Sequence, residues 1–290
     1  MQVTFYGVRG SVPSPGPHTC LYGGNTSCVE IKTDQGQQLI LDSGTGIIAL
    51  GDQLIESKED IHILLTHNHW DHIQGFPFFK PIYQPNRNIH LYPGQVESKE
   101  FDAILRQMSG SNFPVKYQQL ASNIRVYSDA SAQASFSVPG FIIETKALNH
   151  PDGGTAYLVK SNDLKVAYVT DNELAPPYPV ATTLNEWQDF INNADLLIHD
   201  GQFVESDLPE KLGWGHSTVE QVVELAAKSG VKRLALISHD PFRTDQELSE
   251  IEQSLQNIAK RFEGINLEVF CAKEGQSLNL LESDNGSQVS

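Results

Sequence analysis

The sequence has 290 residues, a formal net charge of −16 and 39% hydrophobic side chains. These values are typical of a globular chain, and no apolar run approaches the roughly 20 residues needed to cross a bilayer. An acidic chain lacks the basic surface that holds long RNA or DNA through its phosphates, so we expect no such partner and no membrane. A small phosphodiester stays open as a ligand, because bound metal cations can reverse the local potential of a site.

The beginning of the chain and its cysteines bear on the compartment. The first ten residues, MQVTFYGVRG, lack the basic flank and apolar stretch of a signal peptide. Cys20, Cys28 and Cys271 are odd in number and form neither a CxxC motif nor a disulfide framework. We therefore expect reduced thiols in a cytoplasmic protein.

Short apolar segments bounded by turn residues predict strands in the first part of the chain, at 3–8, 27–31, 38–41 and 62–65. Residues 11–25 form a long turn-rich loop, of a kind that is often functional. Helices are predicted at 46–55 and 97–108. A second group of strands follows, at 124–127, 141–146, 156–159 and 165–169.

The last third mixes strands and helices around a Pro-rich loop at 174–180, which could be a lid or a dimer contact. Strands are predicted at 196–198 and 234–237. Ser217 with Glu220, and Thr244 with Glu247, read as capping boxes that open helices ending near Gly230 and Phe262. This order favours two packed sheets with helices outside, in a single domain over 1–282, followed by a polar, disordered tail at 283–290.

A histidine-rich cluster follows the strand at 62–65. His67, His69, Asp71 and His72 lie within six residues, whereas a surface loop would rarely collect three of ten histidines in so short a stretch. Imidazole and carboxylate ligate zinc and also suit iron or manganese. Because alternate residues of an extended segment point the same way, one such segment can serve two metals.

Three further polar residues follow apolar strands elsewhere, where α/β sheets place site residues: His150, Asp171 and His239. Each alone would more simply be a turn or cap residue, but together with the cluster they predict metal ligands. The nearby aromatic residues are expected to pack beneath the metal-binding loop rather than to stack on a base: Trp70, Phe76, Phe78 and Phe79.

The pattern HxHxDH, followed by a distant His, an Asp and a His, resembles the ligand series of the metallo-β-lactamase superfamily over nearly the whole chain. The resemblance implies an α/β fold, a four-layer αβ/βα sandwich with two divalent metals at one edge. Zinc is the first expectation, with manganese or iron as alternatives. It also implies a ligand set in which metal 1 is held by His67, His69 and His150, metal 2 by Asp71, His72 and His239, and both by a bridging Asp171 with a water or hydroxide.

The segments ADLLIHDGQF and GHSTVEQVVELAAKSGVKRLALISHDPFR resemble ribonuclease Z and its smaller relatives, among them a phosphonate-pathway cyclic phosphodiesterase. His216 occupies the position of a histidine that assists diester cleavage, and Asp200 that of an acidic residue supporting the site without binding metal. The segment FYGVRGSVPSPGP and those after it resemble bacterial hydrolases of the superfamily, which implies that 10–25 and 42–46 line the metal edge.

These features predict a dinuclear metal-dependent hydrolase, acting as a phosphodiesterase on a small diester such as a cyclic nucleotide. No basic insertion lies between His150 and Asp171, where some ribonucleases Z carry a tRNA-binding arm. A metal-activated hydroxide would attack phosphorus, Asp71 would hold metal 2 and orient the nucleophile, and His216 would be the general acid. Free N–H groups at the helix start after His216 would suit a phosphate oxygen.

Four alternatives remain open from the sequence: a lactonase or thioesterase, ribonuclease Z-like RNA processing, oxidative chemistry on iron, and a non-catalytic metal-stabilised regulatory module. The sequence leaves the substrate, the metal and the oligomeric state undecided, and a homodimer is one option.

Overall fold

A computed structural model describes residues 1–94, 102–110, 112–130, 132–262 and 265–281. The described strands form two seven-stranded sheets. The first contains, in spatial order, β14 (Ser277–Asn279), β1 (Gln2–Gly7), β2 (Cys28–Lys32), β3 (Gln38–Leu41), β4 (Ile61–Leu64), β5 (Asn88–Tyr92) and β6 (Asn123–Val126). The second contains β13 (Glu268–Cys271), β12 (Arg233–Ile237), β11 (Leu196–Asp200), β10 (Leu164–Val169), β9 (Thr155–Ser161), β8 (Phe141–Ala147) and β7 (Ser135–Val138).

Six α-helices lie in the described residues: α1 (Ile47–Gln53), α2 (Trp70–Ile73), α3 (Ala103–Arg106), α4 (Leu184–Phe190), α5 (Val219–Lys228) and α6 (Asp245–Ala259). None of the described helices is both long enough and apolar enough to cross a membrane. Cys20, Cys28 and Cys271 are free thiols.

The core is divided into three apolar layers because successive strand side chains point to opposite faces. In β10, Val166 and Tyr168 point into the layer between the two sheets, whereas Ala167 and Val169 pack against α4, α5 and α6. A third layer joins the outer face of the first sheet to α1 and α3. The predicted four-layer sandwich is therefore confirmed.

Parallel strands direct several loops to one edge of the sandwich. Strands β3 to β6 run parallel in the first sheet, and β10 to β13 run parallel in the second. His67, Asp171 and His239 follow the carboxyl ends of β4, β10 and β12, and Asp200 is the last residue of β11. An isolated bridge pairs Arg9, after β1, with His239, so the loop at 10–25 reaches the same edge.

The structure changes one of the two predicted helix caps. The α5 N-cap is Thr218 with Gln221, not Ser217 with Glu220, because the Ser217 hydroxyl accepts from the N–H of Leu174 and donates to the carbonyl of Asn172. Thr244 caps α6 as predicted. The predicted helix at 97–108 is partly outside the described residues, and its described part is α3.

The predicted single domain over 1–282 and tail at 283–290 stay predictions, since 282–290 lie outside the described residues. The layer shared by both sheets supports one domain.

Candidate metal centre

The loop after β4 changes from extended to helical backbone within the histidine cluster. His69 is the extended N-cap of α2, whereas Asp71 and His72 lie in the first turn of that helix. The cluster is anchored through Thr66, whose backbone N–H and hydroxyl both donate to the buried carboxylate of Asp42. This change of backbone directs His67 and His69 differently from Asp71 and His72.

Three imidazoles converge at the first point: His67, His69 and His150 offer ligand atoms that all lie within 4.8 Å of one another. The Thr66 hydroxyl donates its hydrogen bond to Asp42, so the Thr66 oxygen accepts from Nδ1–H of His67 at 3.1 Å. That tautomer leaves a lone pair on His67 Nε2, which is buried and has no hydrogen-bond partner among the described residues.

His150 is held in the matching tautomer. Its Nδ1–H donates to the carbonyl of Gly215 at 2.9 Å, and its Nε2 lies 3.1 Å from His69 Nδ1. Burial, with a smaller contribution from His72, lowers the pKa of His67 well below its ordinary value, so this imidazole is neutral. Buried, unprotonated imidazole nitrogens that face one another fit a divalent cation.

A second group contains His67, His72 and Asp171, again within 4.8 Å. Nδ1–H of His72 donates to Asp42 Oδ2 at 2.8 Å. The opposite nitrogen, Nε2, faces Asp171 Oδ2 at 3.1 Å and Asp71 Oδ2 at 3.4 Å. Burial alone would lower the pKa of His72, but the surrounding carboxylates raise it well above its ordinary value. Three buried carboxylates around one imidazole also fit a bound cation.

Asp171 lies between the two groups. Its backbone has a left-handed φ of 55°, and its Oδ1 accepts from the hydroxyls of Thr170 at 2.9 Å and Ser238 at 3.2 Å. Its Oδ2 is directed at the imidazoles, 3.7 Å from His67 Nε2 and 4.0 Å from His150 Nε2. Asp171 therefore faces histidines of both groups, and its assignment as the bridging ligand stays a prediction.

His216 joins the centre from the segment before α5. Its ligand atom lies within 4.8 Å of those of His150 and Asp171. Asp200 Oδ2 lies 3.3 Å from His216 Nδ1, and Asp200 is fully buried, where it accepts from the backbone N–H groups of Asn172 and Ser217. Burial by itself would raise the pKa of Asp200, but contacts with His199 and His216 lower it. The carboxylate thus supports His216 without belonging to either metal group.

Asp71 is in none of these groups, although its Oδ2 lies 3.4 Å from His72 Nε2, and neither is His239. The His239 ring is buried beside Tyr22, and its Nε2–H donates to the carbonyl of Ala272 at 2.9 Å. Burial lowers its pKa to about 4, and the Nδ1 lone pair has no hydrogen-bond partner in the described part of the chain. Its assignment as a ligand stays a prediction.

Three backbone N–H groups around the start of α5 are already hydrogen-bonded within the protein. The N–H of Ser217 donates to Asp200, that of Val219 donates to the carbonyl of Phe203, and that of Gln221 donates to the Thr218 hydroxyl. His216 also lies two residues before the cap rather than beside it. The expected phosphate contact at this helix start stays a prediction.

A cavity of about 640 Å³ opens over the centre, and its lining includes Asp71, His150, Asp171 and His216. The expected packing of the aromatic residues is only half correct. Phe76 and Phe79 are buried beneath the loop, but Trp70 and Phe78 are exposed, and Trp70 lines the cavity because it opens α2 on its outer side.

Sequence reasoning missed two carboxylates that orient ligands. Asp42 fixes His72, although the DSGTG segment had been placed at the metal edge without a role. Glu173 accepts from the N–H groups of Gly213 and Gly215, and so holds the carbonyl that orients His150. Burial after a strand end was the available signal for both, but their partners are distant in sequence.

The Pro-rich loop at 174–180 is tied down at both ends. Leu174 N–H donates to the Ser217 hydroxyl, and the N–H groups of Ala181 and Thr182 donate to the side-chain oxygen of Asn149, beside His150. Hydrogen bonds from the residues that follow this loop therefore stabilise the segment that carries His150.

Comparisons with known proteins agree with this geometry. Residues 38–239 match the family described as the β-lactamase superfamily domain. Ribonuclease Z of Haloferax volcanii is 24% identical over 99% of this chain and 98% of its own length. The metallo-β-lactamase fold protein YhfI of Bacillus subtilis superposes with a TM-score of 0.68 at 19% identity, over 96% and 98% of the two chains. Yeast PDE1 superposes at 0.70 and 14% identity, over 95% and 98%. At these identities the two structures show a shared fold.

Proposed function

Because this chain belongs to the β-lactamase superfamily domain family and is a metal-dependent hydrolase, we propose that it is a phosphodiesterase that cleaves a small phosphodiester, such as a cyclic nucleotide. The observation that carries this proposal is the position of His216. It lines the cavity within 4.8 Å of two candidate metal ligands, His150 and Asp171, and the buried carboxylate of Asp200 faces its Nδ1.

The side chains that would hold two divalent cations, zinc first, are those whose nitrogens and carboxylates converge. His67, His69 and His150 would hold one; Asp71, His72 and His239 would hold the other; Asp171 would bridge them. Cations there would lower the pKa of a water and polarise the phosphoryl oxygens. His239 would contribute the Nδ1 lone pair that the described residues leave without a partner.

The protein's own groups complete the chemistry. Burial alone would lower the pKa of His216, but the carboxylates of Asp171 and Asp200 raise it above its ordinary value. They therefore favour the imidazolium form, whose Nε2 proton would go to the leaving oxygen. Asp71 accepts from the N–H of Ser11 at 2.7 Å through Oδ2. This contact fixes the carboxylate on the cavity side of His72, where it would orient the attacking group.

A second candidate is RNA processing, because a relative that covers nearly the whole chain is named ribonuclease Z. The net charge of −16 disfavours a long polyanion, so a small diester ranks first. A cytoplasmic location and a homodimer stay predictions.

The test is hydrolysis of two diesters by zinc- and manganese-loaded protein. Bis(p-nitrophenyl) phosphate has a weakly basic leaving group that needs little protonation, whereas 3′,5′-cyclic AMP must expel an alkoxide. Asp71→Ala should abolish both activities. His216→Ala should lower kcat for cyclic AMP by about 10²- to 10⁴-fold and reduce bis(p-nitrophenyl) phosphate cleavage far less.

His18→Ala is the matched control, since His18 is exposed and does not line the cavity. Absence of diester hydrolysis in metal-replete protein would refute the proposed function. Equal losses on the two substrates in His216→Ala would refute the general-acid role alone.

A further inference from the structure

Three aromatic side chains stand exposed at the rim of the cavity. Trp70 is 74% exposed, Trp214 is 58% exposed and Phe242 is 87% exposed, and all three line the cavity over the metal centre. They come from three separate segments: Trp70 precedes Asp71, Trp214 lies two residues before His216, and Phe242 lies three residues after His239. The chain has three tryptophans, and the third, Trp187, is fully buried.

Trp70 and Trp214 are both exposed at this one cavity, although exposure of a tryptophan costs stability. A tryptophan in the core buries a large apolar area, and that stabilisation is forgone at an exposed position. Rings that face an open cavity instead keep their flat faces available to a ligand. Planar heteroaromatic groups are the ligands that indole and phenyl rings bind best by stacking, irrespective of base sequence.

One cation lies among the carboxylates that line the cavity, which are those of Asp71, Asp171 and Asp240. Lys211 is the one lysine or arginine lining the described part of the cavity, and its Nζ lies 4.1 Å from the ring centroid of Trp214. An ammonium group beside an aromatic ring would make a charge-assisted contact with the phosphate of a ligand whose base stacks on that ring. The cavity thus combines flat apolar surface, one cation and the histidine–carboxylate centre.

We propose that Trp70, Trp214 and Phe242 bind the planar base of a nucleotide phosphodiester, which makes the substrate class nucleotide rather than lipid or sugar diesters. This proposal rests on the proposed phosphodiesterase function. A cavity of about 640 Å³ suits a ligand of mononucleotide size. An anionic membrane surface is a poor alternative occupant, because the acidic chain would be repelled.

The test is a binding measurement that needs no turnover. Metal-loaded protein is titrated with adenosine 5′-monophosphate and with ribose 5-phosphate, which has the same phosphate and sugar but no base, by calorimetry and tryptophan fluorescence. We expect the nucleotide to bind at least tenfold more tightly and to quench the exposed tryptophans.

The variants Trp70→Leu, Trp214→Leu and Phe242→Leu keep an apolar side chain but remove the ring. At least one should weaken nucleotide binding by roughly 5- to 100-fold, with little effect on ribose 5-phosphate. Phe78→Leu is the control, because Phe78 is similarly exposed but packs on Phe113 away from the cavity.

Equal affinities for the two ligands, no detectable nucleotide binding, or nucleotide affinity unchanged in all three variants would overturn the proposal. So would a concentration-dependent dimer that Trp70→Leu or Phe242→Leu dissociates, since a second copy would then cover the rim. Hydrolysis of bis(p-nitrophenyl) phosphate is measured separately. A protein that cleaves this diester but does not bind the base refutes only the present proposal, whereas a protein that cleaves no diester refutes the proposed function.

Discussion

Replacing Asp42 by Asn tests whether this carboxylate sets the metal centre, although it is not itself a predicted ligand. Its Oδ2 accepts from His72 Nδ1–H at 2.8 Å, from the Thr66 hydroxyl at 2.9 Å and from the Tyr168 hydroxyl at 3.0 Å. Its Oδ1 accepts from the backbone N–H of Thr66 at 2.8 Å. Asparagine tolerates the left-handed φ of 59° at this position, so the backbone adds little cost.

The size of the effect follows from counting donors. An amide offers one acceptor oxygen where the carboxylate offers two, and its NH₂ would face groups that are themselves donors. In either amide orientation one or two buried donors lose their acceptor, at about 1–3 kcal/mol each. We therefore expect a loss of about 1–6 kcal/mol in the unfolding free energy. His72 would also lose the partner that fixes its tautomer, which typically weakens metal binding about 10- to 100-fold.

Two measurements separate these effects. Urea unfolding of metal-stripped protein in excess chelator gives the stability change, and competition with a chromophoric chelator under native conditions gives the metal affinity. Tyr168→Phe, combined with Asp42→Asn, removes one orphaned donor, so the double variant should be more stable than the two separate losses predict. Asp34→Asn is the control, because Asp34 is exposed and pairs with the N-terminal amine.

Wild-type metal affinity in Asp42→Asn would refute the role assigned to Asp42. A stability loss that simply adds with that of Tyr168→Phe would show that the shared hydrogen bond has little energetic weight.

Three further predictions concern other residues. Burial lowers the pKa of His62 from 6.5 to about 4, so the unfolded chain binds more protons than the folded one between these two pH values, and stability falls as pH falls through them. His62→Gln should remove about 1–2 kcal/mol of that loss in urea titrations. Identical pH profiles of stability for the variant and the wild type would contradict this. Gly215→Ala would place Cβ 2.2 Å from His150 Nδ1 and should therefore weaken metal binding. Gly36→Ala is the control: Gly36 has a similar φ but no atom within 4 Å of the added Cβ, so this variant should cost only backbone strain. His239→Ala should reduce bound metal from two ions to one by elemental analysis; two retained ions would remove His239 from the ligand set.

Local patterns of apolar and turn residues in the sequence predict the positions of most strands. Strands such as β4 and β10 were predicted within a residue or so, because continuous apolar runs between turn residues depend only on neighbours in sequence. Strands β5, β7, β13 and β14 were missed. Strands β7, β13 and β14 have four residues or fewer and lie at sheet margins, where pairing with a distant strand stabilises a segment whose own pattern is weak. Strand β5 is an interior strand in which the polar residues Asn88 and His90 interrupt the apolar run.

The sequence by itself determined which residues could form the centre, because ligand chemistry and a six-residue spacing are local properties. His67, His69, Asp71, His72, His150 and Asp171 were all predicted, and the structure brings them together. The tertiary structure alone decided three things: that Asp42 and Glu173 orient the histidines, that Thr218 rather than Ser217 caps α5, and that Trp70 faces the cavity. Each depends on partners far apart in the chain, so no local pattern could contain the answer.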